Sequence, residues 1–237
     1  KAAAAALVRR LQGKTLACHQ NKAERDSRIK AEKAAWESEL DKWTHETDPY
    51  SVEISKGSSY MHPRQMLREL ERAMPKHAMV STDIGNICSV SNSYLRFEQP
   101  RSMLAAMSFG NCGYAFPVAC GAKVAAPDRP AIAYVGDGAW GISLNELLTC
   151  AREKIGVSVV LFNNGQWGAE KKNHVDFYSQ RYQGVELENP SWVAVAKSFG
   201  CEGILVDKLS DVGPALQQSV KNQTEGRTTV LELMVTK

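Results

Sequence analysis

With 237 residues, 43% of them hydrophobic, the chain is long enough for one large α/β domain and an appendage, with a sizeable core. A net charge of +3, with basic residues interleaved among acids, is too mild for a nucleic-acid partner, and no apolar run approaches the length of a membrane span. The six cysteines (Cys18, Cys88, Cys112, Cys120, Cys150 and Cys201) form no C-x-x-C pair, so free thiols in a reducing cytoplasm fit better than a disulfide scaffold or a zinc site.

Residues 1–13 read as an amphipathic helix ended by Gly13. Arg9 and Arg10 interrupt its alanine-rich run, which argues against a signal peptide. A start without methionine and in mid-helix suggests a fragment, with 1–13 the end of an upstream domain. Residues 14–59 are expected to be a charged helical linker. In it Trp36, Leu40 and Trp43 recur at helical spacing, a pattern that suits packing. Asp48-Pro49, Gly57-Ser58-Ser59 and His62-Pro63 mark loops and a helix entry.

The compact domain is expected over 60–237. Met66, Leu67, Leu70 and Met74 form the apolar face of its first helix. Residues 78–82 read as a strand, 113–124 as a helix apolar on nearly all sides and hence buried, and 131–135 as a short buried strand. A helix over 143–154 follows, with Ser143 and Glu146 as a capping box. Residues 157–162 form the next strand. Pro190 opens a helix capped by Asn189, with Trp192, Val195, Ala196 and Phe199 on its apolar side. Strand 203–206, helix 212–220 and strand 228–235 complete the pattern. Strands alternating with helices predict an α/β fold: a doubly wound, mostly parallel sheet with helices on both faces.

Ligands in such sheets lie beyond the carboxyl ends of the strands. Gly136-Asp137-Gly138 closes one strand and Asn163-Asn164 closes the next, in a strand–helix–strand unit that implies a parallel pair. Asp137 and Asn164 therefore meet at one edge, although 26 residues separate them. A carboxylate beside an amide oxygen suits a hard cation. Mg²⁺ fits best, since it takes few protein oxygens and fills its octahedron with phosphate and water. Glycines at 136 and 138 let a diphosphate approach the backbone.

Gly-Asp-Gly followed after 24 residues by Asn-Asn resembles the cofactor motif of thiamine-diphosphate enzymes. The similarity runs over about residues 60–237 and is to the decarboxylase-type branch that includes acetolactate synthase. Residues 82–86 resemble the first diphosphate loop, 108–113 the loop at the pyrimidine edge, 121–130 the approach to Gly-Asp-Gly, and 163–168 the metal loop. The resemblance implies thiamine diphosphate and Mg²⁺ as cofactors. On the matching positions, Asp137, the Asn164 side chain and the Gln166 carbonyl would bind Mg²⁺. Gly85, Asn86, Gly136, Gly138 and Ala139 would hold the diphosphate. Gly110, Asn111 and the Cys112 carbonyl would meet the aminopyrimidine, and Trp167 and Gly168 would complete the loop. Asn163 would order that loop from outside the metal's coordination. Asp83 stays open between the cofactor and a helix cap, and the Cys112 thiol is expected to be passive.

The resemblance also implies what is missing. The glutamate that activates the aminopyrimidine belongs to an upstream pyrimidine-binding domain, and the site forms between two protomers of a homodimer or homotetramer. No catalytic residue is therefore assigned in this chain. Residues 136–140, 163–173 and Phe177-Tyr178 are most similar to the sulfoacetaldehyde-using acetyltransferases of the branch. These turn sulfoacetaldehyde and phosphate into acetyl phosphate and sulfite. Lys171, Lys172 and Arg181, with Asn173 and His174, are candidates for anion contacts, or else form a solvent-facing basic turn. Acetolactate synthases usually carry Leu-Gly-Met where this chain has Trp167-Gly168-Ala169. An acetolactate synthase or other 2-oxoacid decarboxylase stays open, as does a non-catalytic domain that kept the fold.

Overall fold

The computed structural model describes residues 1–14, 21–45 and 60–236. Asp48-Pro49, Gly57-Ser58-Ser59 and Cys18 lie outside the described residues. The chain forms two units, Lys1–Lys42 and Trp43–Lys237. The first holds α1 (Ala2–Leu11) and most of α2 (Lys22–Thr44). α1 buries no residue, so its five alanines, the best intrinsic helix formers, carry it; Gly13, at φ 77°, follows its end. Of the Trp/Leu stripe in α2, Leu40 is buried, Trp43 half-buried and Trp36 exposed.

The second unit opens with α3 (Pro63–Ala73). The His62 imidazole accepts the Arg64 N–H at 3.3 Å, Pro63 starts the first turn, and Met66, Leu67 and Leu70 are buried. Then come β1 (Met79–Thr82), α4 (Asn86–Ser91), β2 (Met103–Ala105), α5 (Ala115–Ala125) and β3 (Ala131–Gly136). α6 (Asp137–Ser143) and α7 (Leu147–Glu153) flank a 3-10 turn, Leu144–Glu146. β4 (Ser158–Asn163), α8 (Gly168–Phe177), α9 (Trp192–Ser198), β5 (Glu202–Val206), α10 (Leu209–Gln223) and β6 (Thr229–Met234) complete it.

The six strands form one sheet, order β2-β1-β3-β4-β6-β5, with every pair parallel. Ala131, Ala133 and Val135 alternate toward one face and join Val159, Leu161, Phe116, Trp140, Leu147 and Ala196 in a dry cluster. Trp140 is fully buried there, so Trp140→Ala would cost about 3–5 kcal/mol. α10 covers the other face through polar pins. Ser219 Oγ donates to Ser158 Oγ at 2.8 Å, Asn222 Nδ2 to Thr229 Oγ1 at 3.0 Å, and the Gln223 amide closes both backbone groups of Ala131 at 2.9 and 3.0 Å. The sheet is thus doubly wound, as the alternating pattern predicts, and wholly parallel.

Several local expectations change. The capping box at Ser143 does not form: the chain turns into α6 directly at Asp137, Ser143 ends that helix with its hydroxyl buried and unpaired, and Glu146 accepts from Thr149 instead, at 3.0 Å. α5 is buried on one side only. Ala115, Phe116 and Ala119 meet the sheet, while Val124 is 64% exposed. The α9 cap is Ser191, whose Oγ accepts the Ala194 N–H at 3.2 Å, and not Asn189, which is drawn into the site. β2, α4 and α8 had no counterpart in the sequence reading.

Candidate functional site

The register of β3 and β4 sets the site. Gly136 lies level with Phe162, so Asp137 and Asn163 leave the sheet side by side and Asn164 follows one residue later. Over these strand ends lies a cavity of about 840 Å³. Its wall includes Gly85, Asn86, Cys112, Gly136, Asp137, Gly138, Ala139, Asn164, Gln166, Trp167 and Gly168. Most cofactor positions read from the sequence are thus brought to one space.

Asp137 is 3% exposed. Its Oδ1 accepts the Gly138 N–H at 3.0 Å, and its Oδ2 accepts the Gly165 N–H and Asn189 Nδ2, each at 2.7 Å. Burial raises its pKa above the usual carboxylate value, and the bonds from Asn189, Gly165 and Gly138 pull it back down. Each carboxylate oxygen offers two lone pairs. Both on Oδ2 are taken; one on Oδ1 is left. Asn164 Oδ1 accepts the Gln166 N–H at 3.2 Å and likewise keeps one lone pair. A buried carboxylate held by neutral donors, beside an amide oxygen with a lone pair to give, fits a hard divalent cation. Among the described residues no three His, Cys, Asp or Glu side chains cluster, so the fit rests on this mixed oxygen set.

The loop carrying these donors is braced like a short strand. Gln166 bridges Glu186, the Trp167 N–H donates to the Val185 carbonyl at 2.8 Å, and the Leu187 N–H to the Gly165 carbonyl at 2.8 Å. Two glycines lie in this packing. A Cβ on Gly138 would lie 2.7 Å from the Trp167 ring, and one on Gly168 would lie 3.2 Å from Asn86 Nδ2 and 3.8 Å from Asn164 Nδ2. The close approach of backbone to indole calls for glycine at 138, while at 168 a side chain would need Asn86 to shift by a few tenths of an ångström.

Asp83, at the end of neighbouring β1, is fully buried. It accepts the Ile84 and Tyr114 N–H groups at 3.1 and 3.3 Å and that of Ala115 at 3.4 Å. It therefore closes the start of α5, and it does not line the cavity. The Cys112 thiol lies 3.9 Å from the Ile84 carbonyl, and burial with the Asp83 and Glu170 charges raises its pKa, so it stays a thiol at neutral pH. Cys112, Cys120, Cys150 and Cys201 are free.

Some expected positions stand elsewhere. Gly110 and Asn111 are exposed and do not line the cavity. Neither do Lys171, Lys172 and Arg181. Lys171 is tied to Glu186, to Gln166 Oε1 at 3.1 Å and to the Tyr182 ring. Lys172 pairs with Asp176 one helical turn on, and Arg181 Nε donates to the Tyr178 carbonyl. Lys171, Lys172, Asn173 and His174 lie on the helix α8 and Arg181 beyond its end; of these candidates His174 alone lines the cavity. Sequence reasoning missed Asn189 and Glu232. Asn189 stands before a proline and imitates a helix cap; Glu232 sits inside an apolar strand, and that lone charge was the available signal.

The wholly parallel, doubly wound sheet with a cavity at its carboxyl edge makes this an α/β domain of the ligand-binding kind. Residues 83–233 match the family described as thiamine pyrophosphate enzyme, C-terminal TPP binding domain, and the chain belongs to that family. Its full length is 58% identical to a sulfoacetaldehyde acetyltransferase of Castellaniella defragrans and 59% identical to one of Alcaligenes xylosoxydans xylosoxydans. It spans 41% of the length of each of these two relatives. An acetolactate synthase large subunit of Corynebacterium glutamicum is 31% identical over 73% of the chain and 28% of that protein. A solved Rhodococcus jostii thiamine diphosphate-dependent 4-hydroxybenzoylformate decarboxylase shares the fold, with a TM-score of 0.70 and 23% identity over 76% of the chain and 33% of that structure.

Proposed function

We propose that the chain is the diphosphate- and Mg²⁺-binding part of a thiamine-diphosphate-dependent acetyltransferase that converts sulfoacetaldehyde and phosphate into acetyl phosphate and sulfite. The observation that carries the cofactor half is the juxtaposition of Asp137 and Asn164 beyond the level ends of β3 and β4, each with a lone pair to give. The substrate half is supported by the names of the relatives at 58% and 59% identity.

In this reading Asp137, the Asn164 side chain and the Gln166 carbonyl hold Mg²⁺. Gly85, Asn86, Gly136, Gly138 and Ala139 lie against the diphosphate, and the Cys112 carbonyl accepts from the aminopyrimidine. Bound thiamine diphosphate would supply the electron sink at the aldehyde carbon. The chain's own work is to anchor, to orient and to exclude water. Trp167 packed on Gly138, and the 165–167 segment bonded to 185–187, keep the loop closed over the strand ends.

The activating glutamate would come from an upstream pyrimidine-binding domain and the complete site from a second protomer. Exposed apolar side chains support such covering partners: Phe109 at 89%, Met107 at 71%, Leu148 at 59% and Ile142 at 58%. The free thiols fit a cytoplasmic enzyme, and among the described residues no helix is long and apolar enough to cross a membrane.

The full-length protein should release sulfite and form acetyl phosphate from sulfoacetaldehyde only when phosphate, Mg²⁺ and thiamine diphosphate are all present. Carbon dioxide from pyruvate in place of sulfite would move the assignment to the acetolactate synthases. No Mg²⁺-dependent cofactor binding at all would make it a non-catalytic relative.

A further inference from the structure

Asn189 occupies a place that neither its sequence context nor the motifs assign. It precedes α9 yet caps nothing there, because Ser191 takes that role. Its side chain turns instead to the ends of two strands. Nδ2 donates to Asp137 Oδ2 at 2.7 Å and to Asn163 Oδ1 at 2.9 Å. Behind Asn163 stands Glu232 of β6, 3% exposed. Its Oε1 accepts Asn163 Nδ2 at 2.9 Å and its Oε2 accepts the Val193 N–H at 3.0 Å.

The direction of every bond in this chain is forced. An ionised carboxylate only accepts, so Asn163 must turn its nitrogen to Glu232 and its oxygen to Asn189. Asn189 then faces two acceptors, Asn163 Oδ1 and Asp137 Oδ2, and must turn its own nitrogen to both. Either amide flipped would set oxygen against oxygen or N–H against N–H. Bonds in such a chain polarise one another, so the bond from Asn163 to Glu232 strengthens the one from Asn189 to Asn163. Both Nδ2 hydrogens of Asn189 are spent in binding the end of β3 to the end of β4. With Gly165 filling the remaining lone pair of Oδ2, the carboxylate cannot rotate without losing bonds, and only Oδ1 keeps a lone pair to offer.

We propose that Asn189 is a positioning residue for the Mg²⁺ site: from 52 residues away it fixes the rotamer of Asp137, and Asn163 and Glu232 fix Asn189 in turn. The inference rests on the reading of Asp137 as a metal ligand. Groups that orient a metal ligand from outside its coordination are typically worth about 10–100-fold in metal affinity.

The test is calorimetric titration of the full-length enzyme with Mg²⁺ at saturating thiamine diphosphate, with the melting temperature of the metal-free protein recorded beside it. Asn189→Ala should raise the Mg²⁺ dissociation constant by about 10–100-fold. Asn189→Asp, of the same shape but presenting an acceptor to Asp137, should raise it at least as much. Glu232→Gln, which satisfies only one of its two donors, should raise it less. Asn189→Ser keeps one donor and should fall between wild type and Asn189→Ala; it carries the same test if the alanine variant does not fold. A Mg²⁺ dissociation constant within about twofold of wild type in the folded Asn189 variants overturns the proposal, whether or not the melting temperature drops, because a structural role alone would move only the latter. If Asp137→Ala also binds Mg²⁺ and cofactor normally, the metal assignment itself has failed; if Asp137→Ala loses binding while Asn189→Ala and Asn189→Asp keep it, only the positioning role has.

Discussion

Asp83 and Asp137 occupy equivalent places. Each is a buried carboxylate just beyond a strand end, on neighbouring parallel strands, and burial raises the pKa of each while backbone N–H groups lower it. They nevertheless do different work. Asp83 accepts the N–H groups of Ile84, Tyr114 and Ala115, which closes the start of α5, and it does not line the cavity. Asp137 is held by Gly138, Gly165 and Asn189 in a way that leaves one lone pair on Oδ1, and it lines the cavity. Both stand at the carboxyl edge of the sheet and each accepts three N–H bonds; what separates them is the cavity, which Asp137 lines and Asp83 does not. Under the proposed function Asp83 is a structural acid and Asp137 a binding one.

Substitutions should separate the two. Asp137→Ala should lower Mg²⁺-dependent thiamine diphosphate affinity by about 100-fold or more, exceeding the usual effect of changes outside the coordination sphere; cofactor titration of the full-length enzyme reads it. Asp83→Ala should do the reverse, leaving Mg²⁺ affinity within several-fold while unfolding stability falls by about 1–3 kcal/mol, the cost of buried N–H groups at an uncapped helix. Equal loss of cofactor affinity in both would erase the distinction. One strand over, Asn164→Leu should weaken Mg²⁺ binding more than Asn163→Ala, which in turn should cost more stability, because Asn163 is buried between Asn189 and Glu232.

Acidity offers a smaller effect. Burial holds the folded pKa of Asp83 above the ordinary aspartate value of 3.8, so the folded chain binds that proton more tightly than the unfolded chain. Its contribution is fully present below about 3.8 and is lost as pH rises through the raised folded value. In metal-free protein, the stability of wild type relative to Asp83→Asn should therefore decline as pH rises across that window, as urea titrations at successive pH values would show. The smallest effect belongs to α8. Lys172→Ala removes an exposed i,i+4 pair with Asp176 and should change stability by no more than about 0.5 kcal/mol. Since neither Lys171 nor Lys172 lines the cavity, KM for phosphate and sulfoacetaldehyde should stay near wild type in both alanine variants; a marked rise in steady-state assays would return them to the site.

Much of the fold was legible because its signals are local. Apolar runs ended by Gly-Asp-Gly and Asn-Asn mark β3 and β4, and parallel pairing follows from the helix between them. β2 was not legible: three residues on a sheet edge carry no period. α8 was not legible either: it has no apolar face, and none of its residues is buried. Asn189 was misassigned because Asn-Pro before an apolar stripe imitates a cap; what redirects it is two acceptors contributed by distant strands, which no local pattern encodes. The strand-end loops that line the cavity were legible through their glycines, which mark close backbone approach.

A metal site at the ends of β3 and β4 can be seen crystallographically. A crystal structure of the full-length enzyme with Mn²⁺ in place of Mg²⁺ and with thiamine diphosphate tests it most directly, because the anomalous signal of Mn²⁺ locates the cation. The account predicts one peak about 2.0–2.3 Å from Asp137 Oδ1, Asn164 Oδ1 and the Gln166 carbonyl oxygen. A cation bound away from these three atoms, or bound through Asp83, would contradict it.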